Sequence, residues 1–216
     1  MSIRDERKQQ NRQAMIDAAL SLSTSQRSFT NISLREITRT VGLVPTAFYR
    51  HFENMDVLAV EIVDQTSLYL QNLIHQLGHT FLNSPQTKIE DVLELFLNAV
   101  DQNTQPWIFF MTEQWGGSHT LRDAIAREFK FLSENLSLDL KKIKDIQYSP
   151  FYKDLNLLAQ ILINLIFHWA MTWINDQHQF SNDALKQQQL IFKKQTIIQI
   201  QLLFHGITDS NTRKIC

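Results

Sequence analysis

The chain has 216 residues, 44% hydrophobic and 20% charged, with a formal net charge of −1. That length suits one globular body with a small appended module, and that composition excludes a disordered tail or a low-complexity polymer. The lone cysteine, Cys216, cannot pair within the chain, and no secretory apolar segment follows the charged start Arg4-Asp5-Glu6-Arg7-Lys8, so a reducing cytoplasm is the expected compartment.

Five glycines and four prolines punctuate the sequence, and no Asn-Gly or Asp-Gly hairpin turn separates alternating strands, so an all-α fold is expected. In chain order the predicted helices lie near 4–24, 33–41, 45–52, 56–82, 87–103, 106–114, 119–145, 152–176 and 183–205. Leu34, Ile37 and Val41 share one face of the second helix, and Ser33 with Glu36 forms a capping box at its start. Gly42 ends that helix, because glycine accepts a left-handed backbone, and Pro45 suits the first turn of the next. Phe48 and Phe52 are four apart and predicted to bury, leaving Thr46, Ala47, Tyr49, Arg50 and His51 outward. Helix, glycine turn, helix is the helix-turn-helix plan, whose second helix enters the DNA major groove; a plain αα-hairpin shares the outline, but the outward set pairs phosphate donors with small base-edge groups.

Charge agrees in sign. Residues 1–53 carry eight basic and five acidic side chains, and the remainder 13 and 17, so a positive end is joined to a negative body. The expected division is a DNA-binding domain at 1–53 and a ligand-binding and dimerisation domain at 54–216, linked by the long helix near 56–82. Gly78 is the one glycine inside a predicted helix. The most apolar stretch, Leu155–Ile174, is broken by Asn156, Gln160, Asn164 and His168, which predicts a buried helix and no membrane partner. Apolar stripes on the last two long helices predict a homodimer through residues 152–176 and 183–205, although both stripes also serve an intrachain core.

Gly42–Phe52, GLVPTAFYRHF, resembles the recognition-helix signature of the TetR family of bacterial repressors, with Phe48, Tyr49, His51 and Phe52 in its aromatic, Tyr, His and Phe places. Asn11–Leu20 resembles the family's first helix, and the motif spans roughly residues 7–58. The chain departs at Met55, where members often carry a lysine. The resemblance implies a dimeric repressor of a palindromic double-stranded operator, with a small effector bound in the body. Ser33, Arg35, Arg50 and His51 are then expected on phosphates, Thr46, Ala47 and Tyr49 on bases, and Pro45 at the groove edge.

Ser33–Gln65 and Gly116–Phe129 further resemble the FabR- and DesT-like branch, which represses unsaturated fatty-acid synthesis. That implies an acyl-CoA or acyl carrier protein thioester as effector; another hydrophobic or drug-like inducer is the alternative. Trp107, Phe110, Met111, Trp115, Phe129, His168, Trp169 and Trp173 are the candidate ligand-lining residues, and the same rings also make sense as plain core. Glu113, Gln114, His119, Arg122 and Asn164 are the candidate polar groups among them. No enzyme, cofactor or metal is expected: His-Glu-x-x-His, Gly-x-Ser-x-Gly, P-loop and Gly-x-Gly-x-x-Gly patterns are missing, and the His75/His79 pair has no carboxylate beside it in sequence. The rival function is a helical lipid-binding or protein-interaction module without a role at DNA.

Overall fold

A computed structural model describes residues 2–25, 27–83, 88–143 and 152–208. Among these the chain forms α-helices and two short 3-10 turns, and no strand. Helix α1 (Ile3–Ser23) opens on a capping box between Ser2 and Asp5. A 3-10 turn at Phe29–Asn31 leads to α2 (Leu34–Thr40). There the Ser33 hydroxyl accepts the Glu36 N–H at 3.3 Å and the Glu36 carboxylate accepts the Ser33 N–H at 2.9 Å, the predicted capping box. Gly42 takes φ 71, which ends α2 as expected, and Pro45 starts α3 (Pro45–Phe48).

The predicted helix at 45–52 is shorter in the structure. After Phe48 the bonds tighten to a three-residue pattern, Arg50 N–H to Ala47 O at 3.2 Å and His51 N–H to Phe48 O at 2.9 Å, and the chain leaves the helix. Asn54 then caps α4 (Met55–Asn83), its side-chain oxygen accepting the Val57 N–H at 2.9 Å. Helices α5 (Ile89–Gln102), α6 (Gln105–Glu113), α7 (His119–Leu140), α8 (Leu155–Gln179) and α9 (Asn182–Thr208) follow. Ser118 caps α7, and a second 3-10 turn at Tyr152–Asp154 precedes α8. The tail of the predicted 119–145 helix beyond 143, and Cys216, lie outside the described residues.

The chain packs as two compact units that depart from the expected break after residue 53. One comprises Met1–Leu70 and Gln105–Glu128; the other comprises Gln71–Thr104 and Phe129–Cys216. The difference arises because α6 packs against α1, where Trp107, Phe109 and Phe110 are fully buried. In the second unit α5, α8 and α9 pack together, and Leu140, Leu155, Ala159 and Leu162 form an apolar cluster joined by Leu136, Leu158 and Leu203. Polar ties fix the tryptophans there: the Trp173 indole donates to Asp101 and the Trp169 indole to Gln199, both at 2.7 Å. The segment Tyr152–Gln179 is long and apolar enough to cross a membrane by length and composition alone. In this fold Ala159, Ile163, Phe167 and Ala170 on α8 are buried in the protein, while Asn156, Gln160, Asn164 and His168 are exposed.

Candidate DNA-reading surface and effector cavity

The recognition segment is anchored from below. Phe48 and Phe52 are buried with ring centroids 5.5 Å apart, and the Arg12 guanidinium lies 4.8 Å above the Phe52 ring. Arg12 also makes a bidentate pair with Glu61 at 2.8 and 3.0 Å, so one side chain of α1 grips both the segment and α4. The Arg12 hydrogen bonds hold the Glu61 carboxyl below the usual carboxylate range, against a smaller opposing effect of burial. Glu36, hydrogen-bonded by Arg27 and then by Ser33, is lowered to about 2.

Ser33, Arg35, Pro45, Thr46, Tyr49 and Arg50 are exposed, as a reading surface requires. Ala47 is the exception to the predicted outward set, at 9% exposure. It directly precedes the fully buried Phe48 in the first turn of α3, a helix that packs on α2. His51 is half-buried. Burial first, then the positive charges of Lys8, Arg12 and Arg50, push its pKa below the ordinary value, so the imidazole is neutral at pH 7. Its Nδ1 is buried without a hydrogen-bond partner among the described residues. Two residues missed in the sequence belong to the same surface. Arg39, one turn after Arg35, and the exposed Val44 join Arg35, Gly42 and Pro45 around a cleft of about 500 Å³. The four-residue spacing of Arg35 and Arg39 was the available signal.

The second unit holds an apolar cavity of about 160 Å³. Its walls come from α4 (Ile74, Leu77, Gly78), α5 (Leu93, Phe96), α7 (Leu136, Leu140), α8 (Leu162, Ile166) and α9 (Ile200, Phe204). Asp139 is the one charged group in the wall among the described residues. Of the eight expected lining residues only Trp169 borders this space. Trp107 and Phe110 are core of the first unit, with Met111 half-buried on the same helix, and Trp115 stands 84% exposed beyond α6. Phe129 packs on Phe167 at 4.7 Å, His168 faces outward, and Trp173 is committed to Asp101.

The expected polar groups have local bonds instead. Glu113 accepts the Phe29 N–H, Gln114 donates to Met111, His119 pairs with Asp123, Arg122 donates to Gly116 O, and Asn164 donates to Gln160 O. Sequence proximity grouped rings that the fold sends to different units. Gly78, costly inside a helix, borders the cavity, and an added Cβ there meets nothing within 4 Å. Among the described residues no group of three or more His, Cys, Asp or Glu is placed to hold a metal ion.

Residues 85–193, half of the chain, match the tetracyclin repressor-like C-terminal domain. The chain belongs to the TetR family. A helix-turn-helix-type transcriptional regulator of Haemophilus influenzae, itself uncharacterized, is 29% identical over 205 residues, 94% of this chain and 93% of the relative. A transcriptional regulator from Aquifex aeolicus has the same fold, with a TM-score of 0.62 and 15% identity over 89% of this chain and 99% of its own. FadR from Bacillus subtilis, solved with stearoyl-CoA, gives a TM-score of 0.59 and 14% identity over 90% of this chain and 98% of its own. As a TetR-family member the protein is a DNA-binding transcriptional regulator and not an enzyme. That displaces the rival reading of a lipid-binding or interaction module without a role at DNA.

Proposed function

We propose that this TetR-family regulator is a cytoplasmic homodimeric repressor whose hold on a palindromic operator is set by an apolar effector, a fatty acyl chain carried as an acyl-CoA or acyl carrier protein thioester. The observation that carries the reading is the cavity, walled by aliphatic and aromatic side chains from five helices, an apolar lining that an alkyl chain matches. The fold likeness to a regulator solved with stearoyl-CoA supports it. In this mechanism acyl binding shifts a balance between two dimer states that space their recognition helices differently; only an effector with unequal affinity for the two states can do so. The productive spacing is about 34–36 Å, one turn of the duplex.

The dimer rests on its own observation. Leu157 and Ile161 of α8, and Ile198 and Leu202 of α9, are exposed at 59, 42, 54 and 67%. Each pair is four apart on its helix, and their sequence neighbours Leu158 and Leu203 pack on one apolar cluster, so both helices carry large apolar side chains in water beside it. A second copy covers such a face. Sedimentation of Leu202→Arg tests this: a shift from dimer to monomer is expected, and an unchanged dimer overturns the assignment.

The functional test is fluorescence anisotropy with DNA from the chain's own upstream region, with and without dodecanoyl-CoA. Specific binding that changes at least severalfold on addition of the thioester is expected. Specific binding that is indifferent to acyl-CoA, together with a drug-like molecule retained in native mass spectrometry, refutes the acyl effector.

A further inference from the structure

The apolar cavity adjoins a second space of about 310 Å³ with a different wall. Ile74, Leu136 and Asp139 border both, while the second is completed by polar side chains, among them Asn72, His75, Asn135 and Lys142. Asp139 organises this polar end. One carboxylate oxygen lies 2.6 Å from Lys142 Nζ and the other 3.1 Å from His75 Nδ1. Burial disfavours its charge, but the bonds from Lys142 and His75 outweigh that and hold the carboxyl below its ordinary value, so it stays ionised. Each Asp139 oxygen already accepts one bond, whereas an ammonium has three N–H donors and Asp139 takes only one. Together with the two asparagine amides, this leaves an end rich in donors beside a wall that has none.

We infer that the two spaces form one site for a single-chain amphiphile, its alkyl tail in the cavity at Gly78 and its acyl oxygens on the Lys142 ammonium and the Asn72 and Asn135 amides. This rests on the reading of the cavity as the effector site. The head is an oxygen acceptor, a carboxylate or an acyl carbonyl, and a cationic head is opposed by Lys142. The cavity takes the end of the tail and not its whole length: at roughly 30 Å³ per water-sized group, 160 Å³ holds about five of them.

Calorimetric titration of the full chain with sodium dodecanoate, dodecanoyl-CoA and dodecyltrimethylammonium tests the site. Gly78→Phe, which projects a ring into the open space beside Gly78, is expected to abolish binding of the acyl probes while the variant melts as a folded protein. Lys142→Ala is expected to weaken the acyl probes about threefold, the scale of an ion pair at a largely exposed lysine, and not to weaken the ammonium probe; Lys142→Arg restores most of the loss. Tighter binding of dodecanoyl-CoA than of dodecanoate identifies a thioester source, and the reverse a free acid; either supports the site. If Gly78→Phe abolishes binding but Lys142→Ala leaves it unchanged, the head subsite is overturned and the cavity reading stands. If no probe binds, or binding ignores Gly78→Phe, both fall.

Discussion

Glu113 offers a sharp test of how the DNA-reading unit is held together. Its side chain is fully buried on α6, and Oε1 accepts the Phe29 N–H at 2.8 Å, tying the 3-10 turn that precedes the Ser33 cap to a distant helix. Oε2 is buried without a hydrogen-bond partner among the described residues, and a Cβ on Gly116 would come within 2.5 Å of it. Glu113→Ala leaves the Phe29 N–H without its acceptor, which costs about 1–3 kcal/mol, and removing the partnerless Oε2 offsets a part of that. A net loss of about 2 kcal/mol corresponds to roughly 4–8 °C in melting temperature for a chain of this size. Glu113→Gln keeps an oxygen in place and is expected to lose less. Hydrogen exchange reads the bond itself: the Phe29 amide exchanges faster in the Ala variant and stays protected in the Gln variant. A double-mutant cycle completes the case, because Gly116→Ala is expected to destabilise the parent but to cost much less beside Glu113→Ala. Glu113→Ala with parental melting temperature and parental Phe29 protection refutes the tether.

Three further outcomes follow from the reading surface. Arg50→Ala removes one phosphate contact, so the slope of log affinity against log salt is expected to flatten by about 0.9 for all sequences alike; an unchanged slope in a salt titration removes Arg50 from that role. His51 is neutral in the DNA-free protein because burial and three cations lower its pKa, whereas a neighbouring phosphate raises it. The complex then binds a proton that the free protein does not, so operator affinity rises as pH falls from neutrality toward the lowered pKa of the free imidazole, and His51→Gln flattens that dependence. Glu36 has a folded pKa of about 2 against an ordinary 4.5, so its stabilisation of α2 is fully present above 4.5 and is lost as pH falls through about 2. The stability difference between parent and Glu36→Gln in acid titrations should close over that window, and a difference that persists at its lower end argues against the cap.

What was legible in the sequence is what the chain decides locally. The Ser33–Glu36 box, the left-handed Gly42 and the Pro45 start each depend on residues at most a few positions apart, and each occurs in the structure as predicted. The nine predicted helices all form, because the apolar period and the glycine and proline breaks are also local. The unit boundary was not legible. It depends on α6 packing on α1 across about ninety residues of sequence, and no pattern within α6 names its partner.

The same distinction bears on the two candidate sites. The candidate DNA surface lies mostly on two consecutive short helices; of its predicted outward set Ala47 is buried and His51 half-buried, because both flank the buried Phe48–Phe52 pair. The cavity draws its wall from five helices, and its residues, such as Leu77, Leu93 and Leu162, are ordinary apolar positions one by one. Large aromatics attract attention because they bury the most area, yet that same area makes them core, as Trp107 and Phe110 show. A cavity is bounded by whatever fails to fill it. Its sequence trace is therefore a deficit, and the informative residue was Gly78, a glycine in a helix that asks for none, whose missing side chain leaves open space at the cavity wall.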